Sequence, residues 1–387
     1  MTGIQSCLNV SRISKLLLRG VFFYATFFGV ISFRIERKSS RLVAINSRGY
    51  LWICLVIRLL TCGFNGYSYD IWGSQYADFY IRAFFSLRLY GCLICSAIIM
   101  VLQFWFGEEL LILINRFLEL FRRMRNLTQC HKNGFGDKNE FALITVKVIS
   151  LIFVFISFRF THSPWVLFTI LCDLYTSIGT GMIIHLCFVG YLSIGVLYKD
   201  LNSYVLCQLK TQLSSLNEDD IGLNQQPTRE AISNLNKCLR LYEEIHQVSR
   251  RFQRLFNLPL FLILAQFLFA MAMVSYHAIL QMNYAFNLWG LVIKLLIDVV
   301  LLTMSVHSAV SASRLVKRLS LENFYVTENK GHHQKLELFL GRLHHQELQV
   351  CPLGLFEVSN ELTLFFLSAM VTYVTFLVQY DMQSQQM

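Results

Sequence analysis

The sequence predicts an all-α membrane protein with seven transmembrane helices, a cytoplasmic N-terminus and an extracellular C-terminus. Hydrophobic residues make up 55% of the 387 positions and charged residues only 15%, whereas soluble domains carry roughly 25% charged residues. Long apolar runs also alternate with basic segments. A net charge of +10 would indicate nucleic-acid binding in a soluble chain. Here the Lys and Arg residues are concentrated in alternate segments between the apolar runs. We therefore expect the chain to lie in the lipid bilayer and not to bind nucleic acid.

Seven apolar runs are long enough to cross a bilayer, which takes about 20 residues of helix. In chain order they are Leu42–Gly63, Phe79–Phe106, Phe141–Phe160, Trp165–Tyr198, Leu258–Leu280, Leu288–Ser311 and Gly354–Tyr380. The four prolines all fall in predicted loops or at segment ends. Many secondary transporters are instead built from internal repeats and broken helices.

An eighth apolar run, Gly20–Phe33, corresponds to only about 21 Å of helix at 1.5 Å per residue. Basic residues flank it on both sides, and such residues mark the cytoplasmic face of a membrane. We therefore predict a re-entrant or interfacial segment that returns to the cytoplasm. An ordinary first span and a signal peptide are the alternatives.

The basic residues set the predicted orientation. Of the 34 Lys and Arg residues, 28 lie in alternate segments, namely 1–48, 107–140, 199–257 and 312–353. The connections 65–78, 161–164 and 281–287 and the tail 381–387 carry none, which places the basic segments in the cytoplasm. G-protein-coupled receptors have the opposite orientation, and the Asp-Arg-Tyr and Asn-Pro-x-x-Tyr motifs are missing from this sequence. A receptor of that kind or a transporter remains the alternative.

Polar residues recur at helical spacing in the last run and share one face. They are Glu357, Glu361, Ser368, Thr372, Thr375 and Gln379. Such a face is costly in lipid, so it must meet water or another protein surface. Two interpretations stay open. One is a helix packed inside the bundle with its hydroxyls bonded to carbonyls one turn earlier; the other is the wall of an aqueous pore.

The stretch TYVTFLVQY, Thr372–Tyr380, resembles the signature TYhhhhhQF in the last helix of insect gustatory receptors, where h is apolar. It departs from that signature at Tyr380, which replaces a phenylalanine, and at Thr375, which interrupts the apolar residues. The stretch PLGLFEVSNEL at 352–362 also resembles that family, as do the chain length and the inverted topology.

The resemblance implies a tastant-gated, non-selective cation channel, a homo- or heterotetramer with other gustatory receptors. It would lie in the plasma membrane of gustatory neurons, in their dendrites, and mediate acceptance or avoidance of chemicals. The last helices would line a central pore, with Thr372 and Thr375 on its wall and Gln379 at its narrow part. Phe376 and Tyr380 would form a hydrophobic gate, because an apolar ring blocks ions by dewetting.

At the cytoplasmic mouth, Glu357 and Glu361 would concentrate cations; acidic residues are also simply favoured at helix N-termini. The predicted division is a bundle over 1–311, a cytoplasmic anchor helix within 312–353, and the pore helix with its short tail over 354–387. The periodic leucines of 331–350 suit an amphipathic anchor helix.

A tastant pocket is expected in the outer halves of the spans, where aromatic side chains accompany a few polar groups. The candidates are Tyr80, Phe84, Arg88, Trp165, Phe168, Asp173, Tyr276, His277 and Trp289. Each aromatic residue alone is also typical of core packing or of an interfacial belt. The apolar lining favours bitter or otherwise apolar ligands. Lys294 and Asp298, four residues apart, are predicted to pair with each other.

No enzyme, metal or cofactor is expected. Cys92-x-x-Cys95 lacks the second cysteine pair that a zinc site needs, and the His pairs of 331–350 form no four-ligand set. The stretch GYLSIG at 190–195 misses the Gly-x-Ser-x-Gly nucleophile pattern by one residue. Its glycines are instead predicted to allow close packing of helices.

Overall fold

The computed structural model describes residues 2–38, 41–73, 79–128, 135, 137–157, 164–206, 225–280, 285–318 and 348–384. That part of the chain forms nine long helices and one antiparallel hairpin. The N-terminal half contains α1 (Thr2–Phe27), β1 (Phe33–Lys38), β2 (Arg41–Asn46), α2 (Arg48–Gly73), α3 (Phe79–Phe104), α4 (Gly107–Thr128) and α5 (Lys138–Ser157). The C-terminal half contains α6 (Pro164–Tyr204), α7 (Gln225–Leu280), α8 (Ala285–Arg318) and α9 (Asn360–Ser384).

Every one of the seven predicted runs coincides with a helix, namely α2, α3 and α5 to α9. Among the described residues, five of these helices are by themselves long and apolar enough to cross a membrane: α2, α6, α7, α8 and α9. The second half of α3 meets the same test only together with α4, from which it is bent by 72°. Two details of these runs differ from the prediction. The first span begins at Arg48 because 41–46 pairs as a strand with 33–38, and Pro259 lies inside α7.

Helix α1 ends inside the bundle, where its terminal carbonyls find side-chain partners. Arg58 of α2 donates a hydrogen bond to the Phe28 carbonyl at 2.9 Å, and Tyr50 and Gln103 donate to the carbonyls of Thr26 and Gly29. Helix C-termini leave such carbonyls free, and in a membrane they need protein partners. The chain then reverses into the hairpin, and the re-entrant or interfacial placement of residues 20–33 stays a prediction.

The reversal after α1 depends on Gly29, whose φ of +62° lies in the left-handed region. A Cβ at this position would lie 2.9 Å from the Tyr175 hydroxyl and 3.0 Å from Cys54 Cβ. Glycine is therefore required both by the backbone conformation and by the lack of space.

Two basic segments predicted only as loops are largely helical. In α4, Leu113, Leu120 and Met124 are buried at spacings of seven and four, so the helix covers the bundle with one face. Helix α7 extends 33 residues ahead of the predicted span start at Leu258, and Leu241, Ile245 and Val248 line its buried face. This apolar periodicity indicates amphipathic helices.

Helix α6 lies at the centre of the bundle and is buried along most of its length. Its close approach to α8 and α7 depends on two glycines. A Cβ at Gly195 would lie 3.3 Å from the backbone of Ala309, and one at Gly190 only 2.2 Å from Cζ of Phe252. The predicted packing role of these two glycines is therefore confirmed.

Replacing Gly190 with alanine is expected to destabilise the protein by about 1–3 kcal/mol, the usual cost of overpacking a core. Phe252 cannot move aside easily, because its buried ring packs edge-on against Tyr191 at 5.2 Å and tilted against Phe256 at 4.7 Å. Gly181→Ala, also on α6, is the matched control, since its Cβ would meet Phe267 only at 3.8 Å. Thermal unfolding of the detergent-solubilised protein measures both, and equal melting temperatures would contradict the packing role of Gly190.

Candidate functional site

A tight turn precedes the last helix, α9, and sets its direction. Residues Pro352–Gly354 form a 3-10 turn in which Leu353 and Gly354 have φ of +53° and +71°. The Val358 amide donates to the Val350 carbonyl at 2.8 Å, and the Leu353 amide donates to Asn257 of α7 at 2.8 Å. Helix α9 therefore begins at Asn360, which corrects one prediction: Glu357 precedes the helix, although it remains exposed beside its start.

One face of α9 packs against its own subunit. Leu362, Phe366 and Leu377 are buried on this face. Thr363 contacts Thr303 of α8 with a hydroxyl–hydroxyl distance of 3.4 Å, and the Ser275 hydroxyl of α7 approaches the Met370 sulfur at 3.5 Å. The helix is thus held on α7 and α8 by one side only.

The rest of α9 is uncovered, and a narrow line of polar residues runs along it between exposed apolar side chains such as Leu364, Val371 and Phe376. Glu361, Ser368, Thr372, Thr375 and Gln379 are all exposed; we call these five side chains together with Glu357 the polar stripe. At 100° per residue the stripe is only about 60° wide. Within the subunit, the interpretation of a polar face buried in the bundle is therefore wrong.

The two threonines of the polar stripe do bond back to their own helix. Thr372 Oγ1 donates to the Ser368 carbonyl at 2.9 Å, and Thr375 Oγ1 donates to the Val371 carbonyl at 2.8 Å. These bonds, which were foreseen in the packed-helix interpretation, occur here on an exposed surface. They allow the hydroxyls to sit on a largely apolar helix without a partner from another element.

The two predicted gate residues lie at different distances from the polar stripe. The Phe376 side chain is 59% exposed, as are several other large apolar side chains of α9. Tyr380 is half-buried. Phe376 lies about 70° from the centre of the stripe at 100° per residue, whereas Tyr380 lies about 110° away, in line with the buried Leu362.

The acidic residues of the stripe are exposed near the start of α9. Partial burial, with a smaller contribution from the negative charge of Glu357, raises the pKa of the Cys351 thiol. The thiol of this exposed cysteine is therefore mostly protonated at neutral pH, and it reacts slowly with reagents that need the thiolate.

The predicted pocket residues are only partly described. The side chains of Tyr80, Phe84, Arg88, Trp165 and His277 lie outside the described part of the structure. Tyr276 is buried, Asp173 is half-buried and Trp289 is exposed. Phe168 packs edge-on against Phe64 of α2, with ring centroids 4.7 Å apart. Nothing among the described side chains joins these residues into one pocket, so the pocket stays a prediction.

A cavity of about 510 Å³ lies at the other end of α6, near the start of α9. Its lining includes Asn202 of α6, Met304 and His307 of α8, and Asn360. None of the predicted pocket residues lines it. The anchor helix predicted within 312–353 is not tested, because residues 319–347 fall outside the described part of the structure.

A buried charge cluster joins α5 to α8. Asp298 accepts from Lys147 at 2.9 Å and from Ser150 at 2.8 Å through one oxygen, and its other oxygen lies 2.7 Å from Lys294. The predicted Lys294–Asp298 pair is therefore confirmed. The contact with Lys147 was missed, because no sequence spacing indicates which cation of another helix will face an acid.

Lys147 and Asp298 are completely buried, and Lys294 nearly so. Two ammonium groups thus share one carboxylate in the interior of the bundle. The ammonium of Lys147 also lies 5.4 Å from the centre of the Phe188 ring on α6, close enough for a cation–π interaction. The cluster therefore connects α5, α8 and α6 in the interior of the bundle.

The seven-helix arrangement and the exposed signature of α9 can be compared with known proteins. The family model described as "7tm Chemosensory receptor" matches residues 18–384, which is nearly the whole chain. This chain belongs to the 7tm chemosensory receptor family. It is therefore a receptor and not an enzyme, in agreement with the prediction from the sequence, and the resemblance to gustatory receptors is confirmed.

Named relatives place this chemosensory receptor among insect gustatory receptors. It is 73% identical to Putative gustatory receptor 93b of Drosophila melanogaster over all of this chain and 98% of that protein. It is 26% identical to the Gustatory receptor for bitter taste 93a of the same species, over 54% of this chain and 52% of that protein.

The fold of the receptor also matches a solved structure. The insect olfactory receptor OR5 from Machilis hrabei superposes with a TM-score of 0.65 at 11% sequence identity, over 96% of this chain and all of that one. The same receptor has been solved in complex with eugenol. At this identity the likeness shows the fold alone, and it supports the predicted seven-helix all-α architecture.

Proposed function

We propose that this receptor is a subunit of a tetrameric, tastant-gated, non-selective cation channel whose pore is lined by four copies of α9. The observation that carries the proposal is the uncovered polar stripe on a helix that is otherwise apolar and packed on its opposite face. In a membrane, polar groups in such a position need water or polar partners. A fourfold arrangement around a wet axis supplies both.

The proposed channel has its N-terminus in the cytoplasm and its C-terminus outside, in the plasma membrane of gustatory neurons, including their dendrites. Residues 1–311 form the ligand-binding bundle, 312–353 anchor the subunits beneath the membrane, and 354–387 form the pore and the tail. The other subunits are copies of this chain or further gustatory receptors. The alternation of 28 of the 34 basic residues supports this orientation.

We propose small, mostly apolar tastants, bitter compounds among them, as ligands. Three points support this: the aromatic composition of the predicted pocket, the similarity to the Gustatory receptor for bitter taste 93a, and the eugenol bound to an olfactory receptor of the same fold. An aversive response to such compounds would follow.

The channel proposal is tested by expressing the receptor, alone and with candidate partner receptors, and by screening tastants for calcium entry. Active ligands are then applied to excised patches without nucleotides. We expect ligand-evoked cation current in the patch, because an intrinsic pore needs no coupled signalling. Calcium responses that disappear on excision and return only with added nucleotides would contradict an intrinsic pore.

The orientation predicts that Asn126 is never glycosylated, although Asn126-Leu-Thr128 is an acceptor sequence and its side chain is exposed. The predicted cytoplasmic location of α4 keeps it from the glycosylation machinery. A sequon appended after Met387 on a flexible linker is the positive control, and its glycan should be removed by endoglycosidase with a mobility shift. A glycan on Asn126 with none on the appended sequon would reverse the orientation.

A further inference from the structure

The hydroxyl protons of Thr372 and Thr375 are already used within α9. Each hydroxyl oxygen lies 2.8–2.9 Å from a backbone carbonyl, and a carbonyl has no hydrogen to give, so the threonine must be the donor. A hydroxyl has one proton and two lone pairs. Both side chains are exposed, so only lone pairs remain to face outward.

The rest of the polar stripe is also rich in acceptors. Ionised carboxylates such as those of Glu357 and Glu361 only accept hydrogen bonds. Helix α9 contains no Lys, Arg or His. Donors in the stripe are limited to the Ser368 hydroxyl and the Gln379 amide. Anions require donors or positive charge, whereas hard cations are coordinated by oxygen.

We infer that Thr372 and Thr375 are the residues that select cations against anions in the proposed pore. This inference rests on the proposed function, and it names the selecting atoms as the two hydroxyl oxygens. The residues are three positions apart, which places their oxygens about 4.5 Å apart along the axis at 1.5 Å per residue. In a tetramer they form two adjacent rings of acceptors that replace part of the hydration shell of a cation.

The test is the permeability of chloride relative to sodium, obtained from the reversal potential of ligand-evoked current when external NaCl is diluted. In the Thr372→Val/Thr375→Val double variant, methyl groups replace the oxygens at nearly constant volume. We expect the chloride-to-sodium permeability ratio to rise several-fold. The Thr372→Ser/Thr375→Ser variant keeps both hydroxyls and their bonds to the helix, so it should keep the ratio of the unmodified receptor.

Thr363→Val is the matched control on the packed face, since the Thr363 hydroxyl is turned toward Thr303, and it should leave the ratio unchanged. If the double valine variant reaches the surface but carries no current, the two single valine variants decide by the same ratio. Valine variants that conduct with an unchanged ratio would overturn the inference and leave the channel intact. An unmodified receptor without any ligand-evoked current would instead overturn the proposed function.

Discussion

Replacing Asp298 with asparagine is expected to destabilise the receptor by about 3–5 kcal/mol, the cost of leaving a buried charge without its partner. Asp298 is the shared acceptor of Lys147 and Lys294. Its loss leaves two ammonium groups in the interior with no carboxylate. We expect a large fall in the melting temperature and in the yield of protein that elutes as a single species from size-exclusion chromatography.

Replacing one of the two lysines should destabilise the protein less than replacing Asp298. Lys147→Met removes one of two cations and leaves Asp298 paired with Lys294 at 2.7 Å, so its effect should be clearly smaller. Adding Lys147→Met to Asp298→Asn removes one of the stranded cations, and should recover part of the lost stability. This order of effects follows from the charge balance alone and does not depend on the size of the side chains.

The control is an ion pair on the surface. Exposed ion pairs contribute at most about 1 kcal/mol to the free energy of unfolding. Arg123 of α4 bonds Glu244 of α7 at 2.9 Å, and both side chains are at least 40% exposed. Glu244→Gln should therefore change the melting temperature only slightly. If Asp298→Asn proves no more damaging than Glu244→Gln, the charge cluster does not stabilise the bundle.

Replacing Phe376 with alanine is expected to produce current without ligand. An apolar ring closes a pore by excluding water, and removing the rings widens and wets the constriction. The resting conductance at equal surface expression should rise, and the fraction of current that depends on ligand should fall. Gln379→Ala, at the proposed narrow part, should change the unitary conductance more than the resting leak.

Phe365→Ala is a close control for Phe376→Ala. The two residues lie eleven positions apart on the same side of α9, and their side chains are 58% and 59% exposed. Phe365 lies near the opposite end of the helix, about 16 Å away, so its loss should not open a gate at Phe376. An equal leak in both variants would remove Phe376 from the gate, whereas no leak in either would place the gate elsewhere.

The sequence predicted the seven spans well because runs of apolar residues are required by the bilayer itself. It also identified the polar stripe, since that pattern needs only the helical period. The start of α9 could not be predicted, because it depends on the turn at Leu353 and Gly354 and on the hydrogen bond that the Leu353 amide donates to Asn257, 96 positions earlier in the chain. The apolar residues of α4 and of the first half of α7 recur at helical spacing and could have predicted these helices. Both segments were assigned as loops because they carry many charged residues.

Contacts between helices could not be predicted from the sequence, for a different reason. The spacing of Lys294 and Asp298 indicated a pair within one helix, whereas Lys147 is 151 positions from Asp298. Such a contact is decided by how α5 and α8 pack beside each other and α6. The same holds for the predicted aromatic pocket. The composition identified aromatic side chains but not their contacts, and Phe168 packs against Phe64 of α2.

The most direct test of the pore is cysteine accessibility along α9 during ligand-evoked current. Single cysteines at Thr372, Thr375 and Gln379 are compared with cysteines at Leu362 and Phe366, using a charged methanethiosulfonate reagent and the unmodified receptor as background. We predict irreversible block or a changed conductance for the first three alone, with protection by a permeant blocker. Modification confined to the packed face, or no effect at any position in a receptor that conducts, would contradict a pore lined by the polar stripe.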